Sequence, residues 1–341
     1  MTKTWPITLS QLLESLPRAP GDNGRELVRK AYAFAAAAHE GQRRASRELF
    51  VEHDLAVAHI VSQLQVDAPT VAAALLHDVL LPHTQLDEAA VRKAFGAEVG
   101  SLVAALAKLA PYSEGLSTAS REQTTEAVRR ALLTIIEGDA RVILIRLADR
   151  LQDLRKAGDL PREERESLAL EAREIQAPLA NRLGIWQLKW ELEDMSFRWL
   201  EPEQYRKIAS YVAERREERD RWIQRAIQAL KRRLNEAGIQ SELTGRPKHM
   251  YSIYRKMQEK GLNFEQIYDL RALRVIIESD DPSLCYQALG IVHQLWTPEA
   301  KAFDDYIAKP KGNGYRSLHT AVLDEQGQYL EVQIRTRAMH S

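Results

Sequence analysis

The sequence predicts a multidomain chain: an all-α domain, a helical connector and an α+β domain. Three observations carry this. Apolar residues recur at the helical period through the first two hundred positions. The period changes to two after Gly238. Only 16 glycines stand among 341 residues, in a chain rich in Ala, Leu, Glu and Arg, which favours helix.

Taken in order, Leu27, Ala31, Phe34, Ala35 and Ala38 mark the first long helix. Thr70 to Leu81 reads as an apolar helix buried on most sides and carrying His77 and Asp78. Ala127–Ile136 and Val142–Leu154 continue the pattern. Leu160 to Glu164 reads as a loop with Pro161 near a helix start, so the first domain is expected to span 1–158. Connecting helices occupy 159–200, punctuated at Ala177-Pro178, Gly184 and Glu201-Pro202. The third domain takes 201–341. Its first element is one charged helix, 203–236, with Ile223, Ile227, Leu230 and Leu234 on one face and a C-cap ending at Gly238. Strands follow at Ile239–Thr244, Leu273–Ile277 and His319–Leu323, then a half-buried strand, Leu330–Ile334, with a charged face. Helices at Met250–Lys260 and Ser283–Trp296 interleave, and Asp324–Gln328 reads as a hairpin turn.

Lys+Arg and Asp+Glu are 48 each, so the chain as a whole has no electrostatic grip on nucleic acid or anionic membrane. The single cysteine, Cys285, rules out an internal disulfide and a cysteine zinc cluster. The longest apolar stretch, Ala31–Ala38, is far short of the ~20 residues a membrane span needs. The N-terminus has no signal-peptide core. A soluble, cytoplasmic protein is expected, with no membrane partner.

Four constellations carry chemistry. His53, the doublet His77-Asp78 and the later Asp149 combine imidazole and carboxylate, a set that suits Mn, Fe or Zn. The same residues also read as core histidines and a helix-surface ion pair. The stretch 245–256 holds Arg246, Lys248, His249, Arg255 and Lys256 without an acid, and Lys248, Ser252 and Lys256 share one helix face. It reads as a phosphate site or as a solvated basic face. Asp269 and Glu331, at neighbouring strands, can share Mg²⁺, or be a turn aspartate and an outward glutamate. The loop 302–319 offers Tyr315 as an aromatic platform, Lys311 for phosphate and Asn313 for polar contact, or is a plain loop with a packed tyrosine.

These residues resemble the RelA/SpoT family, which makes and destroys the alarmone (p)ppGpp. The resemblance rests on Gly41-Gln42-Arg43-Arg44, Ala73-Ala74-Leu75-Leu76-His77-Asp78 and Leu147-Ala148-Asp149-Arg150-Leu151. Ala177 to Ile185, Trp190 to Asp194, Tyr268 to Arg274 and Glu331 to Thr336 extend it in family order, from about residue 26 to the end. It implies an all-α HD-type domain, the connector, and an α+β nucleotidyltransferase-like synthetase domain with a mixed sheet. It further implies pyrophosphate transfer from ATP to the 3′-hydroxyl of GDP or GTP. Arg246, Lys248, Ser252 and Lys256 would grip ATP phosphates, with Arg246 and Arg274 flanking the adenine. Asp269 and Glu331 would hold Mg²⁺, and Glu331 would activate the hydroxyl. Tyr315 would stack on guanine, with Lys311, Asn313 and His319 around the acceptor.

The first domain departs from the family. Active hydrolases carry a Glu-Asp pair where this chain has Leu81 and Pro82, and neither can accept a proton. Asp153 replaces a family Asn and Gln152 a His; Gly312 and Arg316 differ in the acceptor loop. Ala302-Phe303-Asp304-Asp305 resembles the acidic motif of synthetase-only members. His53, His77, Asp78 and Asp149 remain as a vestigial site open to Mn²⁺; the resemblance implies that Arg44 would help hold nucleotide phosphate in an active hydrolase, and here it reads as an exposed surface arginine. The expectation is a synthetase with an inactive HD domain. The alternatives are a bifunctional synthetase and Mn²⁺-dependent hydrolase, a nucleotide-sensing module with two dead domains, or another nucleotidyltransferase. Family members continue beyond Ser341, and any ribosome or tRNA contact would lie in that continuation.

Overall fold

The computed structural model describes residues 7–16, 23–109, 139–214, 216–245, 249–261, 271–311 and 314–340. The expected helix 127–136 lies outside them, as do Arg246, Lys248, Asp269 and Asn313. The chain divides into two compact units, residues 1–180 with 187–200, and 181–186 with 201–341. Among the described residues no helix is long and apolar enough to cross a membrane.

Unit 1 is helical. Its first members are α1 (Leu9–Ser15), α2 (Gly24–Ala38), α3 (Phe50–Ser62) and α4 (Ala68–Leu75). They are followed by α5 (Glu88–Leu109), interrupted at Gly96 by φ +85°, and α6 (Ala140–Lys156). Of the α2 stripe predicted from periodicity, Ala31 and Ala35 are buried and Leu27, Phe34 and Ala38 half-buried, with Val28 buried beside them. Asp67 caps α4 by accepting from the Thr70 N–H at 2.9 Å, and Asp139 caps α6 through Arg141. Then come α7 (Arg162–Glu171) and α8 (Ala177–Arg182), joined by a π-turn at Ala172–Gln176. There the Ala177 N–H reaches the Ala172 carbonyl, and the wider turn precedes Pro178, which has no N–H to give. The last helix, α9, spans Trp186–Leu200.

The helix before the His-Asp doublet is shorter than its apolar run predicts. It ends at Leu75, not Leu81. The Leu76 N–H bonds the carbonyls of Ala72 and Ala73, and the His77 ring takes the carbonyl of Ala74 at 2.8 Å. Thr84 Oγ donates to Val79 and Leu81 carbonyls, fixing a turn in place of another helical cycle. Leu81 is extended (φ −66°, ψ 149°), as the residue before a proline prefers.

Unit 2 is α+β. The predicted helix 203–236 is described as α10 (Pro202–Glu214) and α11 (Arg216–Glu236). The latter closes in a Schellman motif: Ile239 N–H to Leu234 O at 2.9 Å, Gly238 N–H to Asn235 O at 3.0 Å, with Gly238 at φ +74°. Then follow β1 (Ser241–Gly245), α12 (Met250–Lys260), β2 (Ala272–Ile277) and α13 (Ser283–Leu295). The chain ends with β3 (Thr297–Asp305), β4 (Leu318–Leu323), β5 (Tyr329–Thr336) and α14 (Arg337–His340). The sheet order is β1-β2-β5-β4-β3, with β2 and β5 parallel and the other pairs antiparallel. The sheet is thus mixed, as the resemblance implied.

Two strand expectations need correction. β3 occupies the start of what reads as the loop 302–319; its Thr-Pro-Glu-Ala-Lys-Ala-Phe-Asp-Asp sequence lacks alternation because it is a polar edge strand. β5 has no solvated charged face. It lies at the sheet centre, where Gln333 and Arg335 are 4% and 7% exposed and only Tyr329 and Glu331 are half-buried.

The core of unit 2 joins one face of this sheet to α11 and α13. Leu273, Val275, Val332 and Ile334 meet Ile223, Leu230, Leu234 and Val292. Trp222 Nε1 donates to Asp324 at 2.8 Å, tying α11 to the β4–β5 hairpin turn. Leu230→Ala is expected to destabilise unit 2 by about 2–5 kcal/mol, the usual cost of a cavity at a fully buried leucine. Urea denaturation followed by circular dichroism checks this.

Candidate active sites

Unit 1 brings its four predicted ligands together. His53 comes from α3, His77 and Asp78 from the turn after α4, and Asp149 from α6. All are buried, at 0%, 6%, 9% and 3% exposure. His53 Nε2 lies 3.0 Å from Asp149 Oδ1; His77 Nε2 lies 3.6 Å from the same oxygen and 3.5 Å from Asp78 Oδ1. The doublet therefore converges on one point through a turn, not through adjacent positions on a helix as the sequence suggested.

The tautomer at His77 follows from its partner. A carbonyl only accepts, so Nδ1 donates to Ala74 O and Nε2 faces the carboxylates. Glu48 plays the orienting part at His53, 3.5 Å from Nδ1, and is itself held by Gln152 at 2.9 Å and Lys156 at 3.3 Å. Asp54 Oδ1 stands 3.5 Å from His77 Nδ1, and neither of its oxygens has a hydrogen-bond partner. The sequence reading missed Glu48 and Asp54. Their one visible signal was an acid placed directly beside an apolar helical run.

The buried groups of this pocket shift one another's ionisation. Burial opposes the charge on His77, but Asp78, Asp149 and Asp54 outweigh it and push the imidazole up to about 10. Burial raises the Asp54 carboxyl to about 7. Asp149 is held well below the carboxylate range, against burial, by Arg146 and the two histidines. Ligand atoms of His53, His77 and Asp149 lie within 4.8 Å of one another, as do those of Asp54, His77 and Asp78. With orphaned buried oxygens and convergent imidazoles, the residues fit a divalent metal.

Arg44 departs from expectation. It is not an exposed surface arginine: its side chain is 20% exposed and paired with Asp78 and, at 3.0 Å, with Asp153. Burial works against its charge, but Asp153 and Asp78 raise its pKa. The aspartate at 153 thus captures the guanidinium expected to hold phosphate in active relatives. Leu81 is half-buried and Pro82 exposed, and neither presents a proton acceptor to the pocket.

Unit 2 places its predicted residues on the sheet face opposite the helical core. Arg274 on β2 pairs in register with Gln333 on β5, and Gln333 with His319 on β4, so the three share that face. Glu331 is flanked on its own rung by Ala272 and Ala321, whose methyl groups leave room above the carboxylate. Gln333 Nε2 donates to Glu331 Oε1 at 3.0 Å. Ser252 and Lys256 sit one turn apart on α12, both half-buried.

Beside this face lies an aromatic cluster. Tyr315 and His319 bond through hydroxyl and Nε2 at 2.8 Å. Tyr306 stands 6.1 Å from Tyr315 and 5.2 Å from His319, ring centre to ring centre. Lys311 Nζ lies 4.2 Å from the Tyr306 ring and 5.7 Å from Tyr315, and the Arg335 guanidinium 5.9 Å from Tyr315. Gly314, at φ +77°, closes the turn on the Lys311 carbonyl at 2.8 Å, a conformation that needs glycine. Tyr306, Arg335 and Trp186, which also meets Tyr315, were not singled out from sequence because their positions depend on strand pairing and chain crossing.

A helical histidine–aspartate pocket followed by a nucleotidyltransferase-like mixed sheet defines the class. Residues 31–186 match the model of the HD domain and 245–341 that of the region found in RelA / SpoT proteins. The chain belongs to the RelA/SpoT family. It is 44% identical to a probable guanosine-3′,5′-bis(diphosphate) 3′-pyrophosphohydrolase of Synechocystis, covering 92% of this chain and 40% of that one. It is 39% identical to a GTP pyrophosphokinase of Myxococcus xanthus, over 94% and 42%. It is 41% identical to the bifunctional (p)ppGpp synthase/hydrolase SpoT of Escherichia coli K12, over 97% and 46%. The chain thus spans less than half the length of these relatives.

Proposed function

We propose that the chain transfers pyrophosphate from ATP to the 3′-hydroxyl of GDP or GTP. The observation that carries this is the sheet face on which Glu331, Gln333, Arg274 and His319 share adjoining rungs beside the Tyr315 cluster. It offers an acid, cations and an aromatic platform at once. Tyr315 stacks the guanine, and Lys311, Asn313 and His319 hold the rest of the acceptor. Arg246, Lys248, Ser252 and Lys256 hold the donor phosphates, and Arg246 with Arg274 brackets the adenine. Glu331 takes the proton of the 3′-hydroxyl as its oxygen bonds the β-phosphorus; the bond to the α-phosphate oxygen breaks and AMP leaves. The half-buried Glu331 carboxylate fits a hard cation's demand for oxygen, so Glu331 and Asp269 would hold Mg²⁺, which supplies charge neutralisation on the phosphates. Positioning and charge stabilisation carry the rate. Incubation with labelled ATP plus GDP or GTP, followed by chromatography for (p)ppGpp and AMP, tests the reading.

Tyr315→Ala is expected to raise the KM for GDP or GTP by roughly 5- to 150-fold, the worth of one stacked base, and the KM for ATP far less. Initial rates against each nucleotide check it. Equal effects on both would make Tyr315 a packing residue.

The HD pocket is proposed to be catalytically silent. It retains ligands for Mn²⁺ in His53, His77, Asp78 and Asp149, but Leu81 and Pro82 stand where water must be positioned and its proton accepted. The intact ligand cluster favours one second reading, a bifunctional enzyme with Mn²⁺-dependent hydrolysis.

A further inference from the structure

Trp186 reaches the acceptor platform from a distant part of the chain. It opens α9, just after the left-handed Gly184 at φ +74°, with its N–H on the Gly184 carbonyl at 3.0 Å. Residues 181–186 group with unit 2, whereas 177–180 and 187–200 on either side group with unit 1. Within unit 2 the Trp186 ring centre lies 5.2 Å from that of Tyr315, the planes at 68°. Tyr306 and His319 cross Tyr315 at 61° and 87°. Three rings therefore meet Tyr315 edge-on, restricting rotation of its plane. None of them lies parallel to it as a stacked base would.

The three neighbours are not equivalent. Tyr306 directly follows β3 and His319 lies on β4, so both come from the strands that bracket the Tyr315 loop. Trp186 comes instead from the segment 181–186, far from that loop in the chain, and adds a contact that those strands do not supply. We propose that Trp186 is a positioning residue for the acceptor nucleotide: it fixes the plane of Tyr315 on which the guanine stacks. This rests on the reading of Tyr315 as the base platform. Trp186 acts through Tyr315, so its loss weakens acceptor binding and leaves the donor side alone.

The test uses the whole chain and the variants Trp186→Ala, Trp186→Leu and Trp186→Phe. An edge-to-face pair of this kind corresponds to about a three- to tenfold change in affinity. Trp186→Ala and Trp186→Leu are expected to raise the GDP Kd, measured calorimetrically, and the GDP KM by about that factor. The ATP KM should stay within about twofold, and Trp186→Phe, which keeps an aromatic edge, should restore acceptor affinity. Melting temperatures identify any variant that fails to fold. Should the alanine and leucine variants fail, tryptophan fluorescence decides. GDP should change the emission of the unmodified chain, and Trp186→Phe should remove most of that change. Unaltered acceptor affinity in the folded variants, or an unaltered GDP response in Trp186→Phe, overturns the positioning role while synthesis by the unmodified chain stands. Absence of GDP binding by the unmodified chain overturns both this role and the proposed function.

Discussion

Glu331→Gln is expected to lower (p)ppGpp synthesis by about 10²–10⁴-fold, the usual cost of losing a positioned base, and more where Mg²⁺ binding is lost with it. The substitution keeps size and shape, and removes the negative charge and the proton-accepting oxygen. The fold should not respond. Glu331 is half-buried between Ala272 and Ala321 and accepts from Gln333 Nε2 at 3.0 Å. A glutamine carbonyl accepts that bond equally well. Melting temperature should therefore stay constant while AMP release from ATP and GTP collapses. Near-normal turnover by the variant would remove Glu331 from the mechanism.

The unmodified chain, given ppGpp and Mn²⁺, is expected to release no pyrophosphate above background. Ligand geometry is not the obstacle, since His53, His77 and Asp149 converge within 4.8 Å. On the proposed reading, what the pocket lacks is the family's Glu-Asp pair, replaced here by Leu81 and Pro82, to orient water and take its proton. Leu81 offers a hydrocarbon chain, and Pro82 begins a short 3₁₀ turn, Pro82–Thr84, locked by the Thr84 hydroxyl. On the same reading the Arg44–Asp153 pair would be a second obstacle, because it engages the guanidinium that would otherwise meet phosphate. Leu81→Glu with Pro82→Asp should recover weak activity at most, because the turn and the Arg44 pairing persist. Adding Asp153→Asn, which removes one of the charges holding Arg44, should raise it further. Release of radiolabelled pyrophosphate measures each step. Robust Mn²⁺-dependent hydrolysis by the unmodified chain would instead establish the bifunctional reading.

Much of the architecture was already legible in the order of residues. The α2 stripe, the α11 face with its glycine cap, and strands β1, β2, β4 and β5 follow from periodicity, because a helix or strand with one buried side must repeat its apolar residues at its own pitch. The identity of the histidine–aspartate quartet was legible too, since a set of ligand types in motif order needs no geometry to be noticed. What tertiary structure alone decided were the features without a local signature. Edge strand β3 is polar because only one of its sides is paired. Gln333 and Arg335 on the second face of β5 are buried, flanked by the strands on either side, although Glu331, Gln333 and Arg335 read as a charged row. Helix α4 stops at Leu75 because side chains of His77 and Thr84 take up carbonyls that a longer helix would use. Glu48, Asp54 and Arg44 join the histidine–aspartate pocket, and Trp186 meets Tyr315, through contacts between residues far apart in the chain. Periodicity reports whether a side chain faces a core. It carries no record of which distant side chain shares that place, because that choice is made only when helices and strands pack.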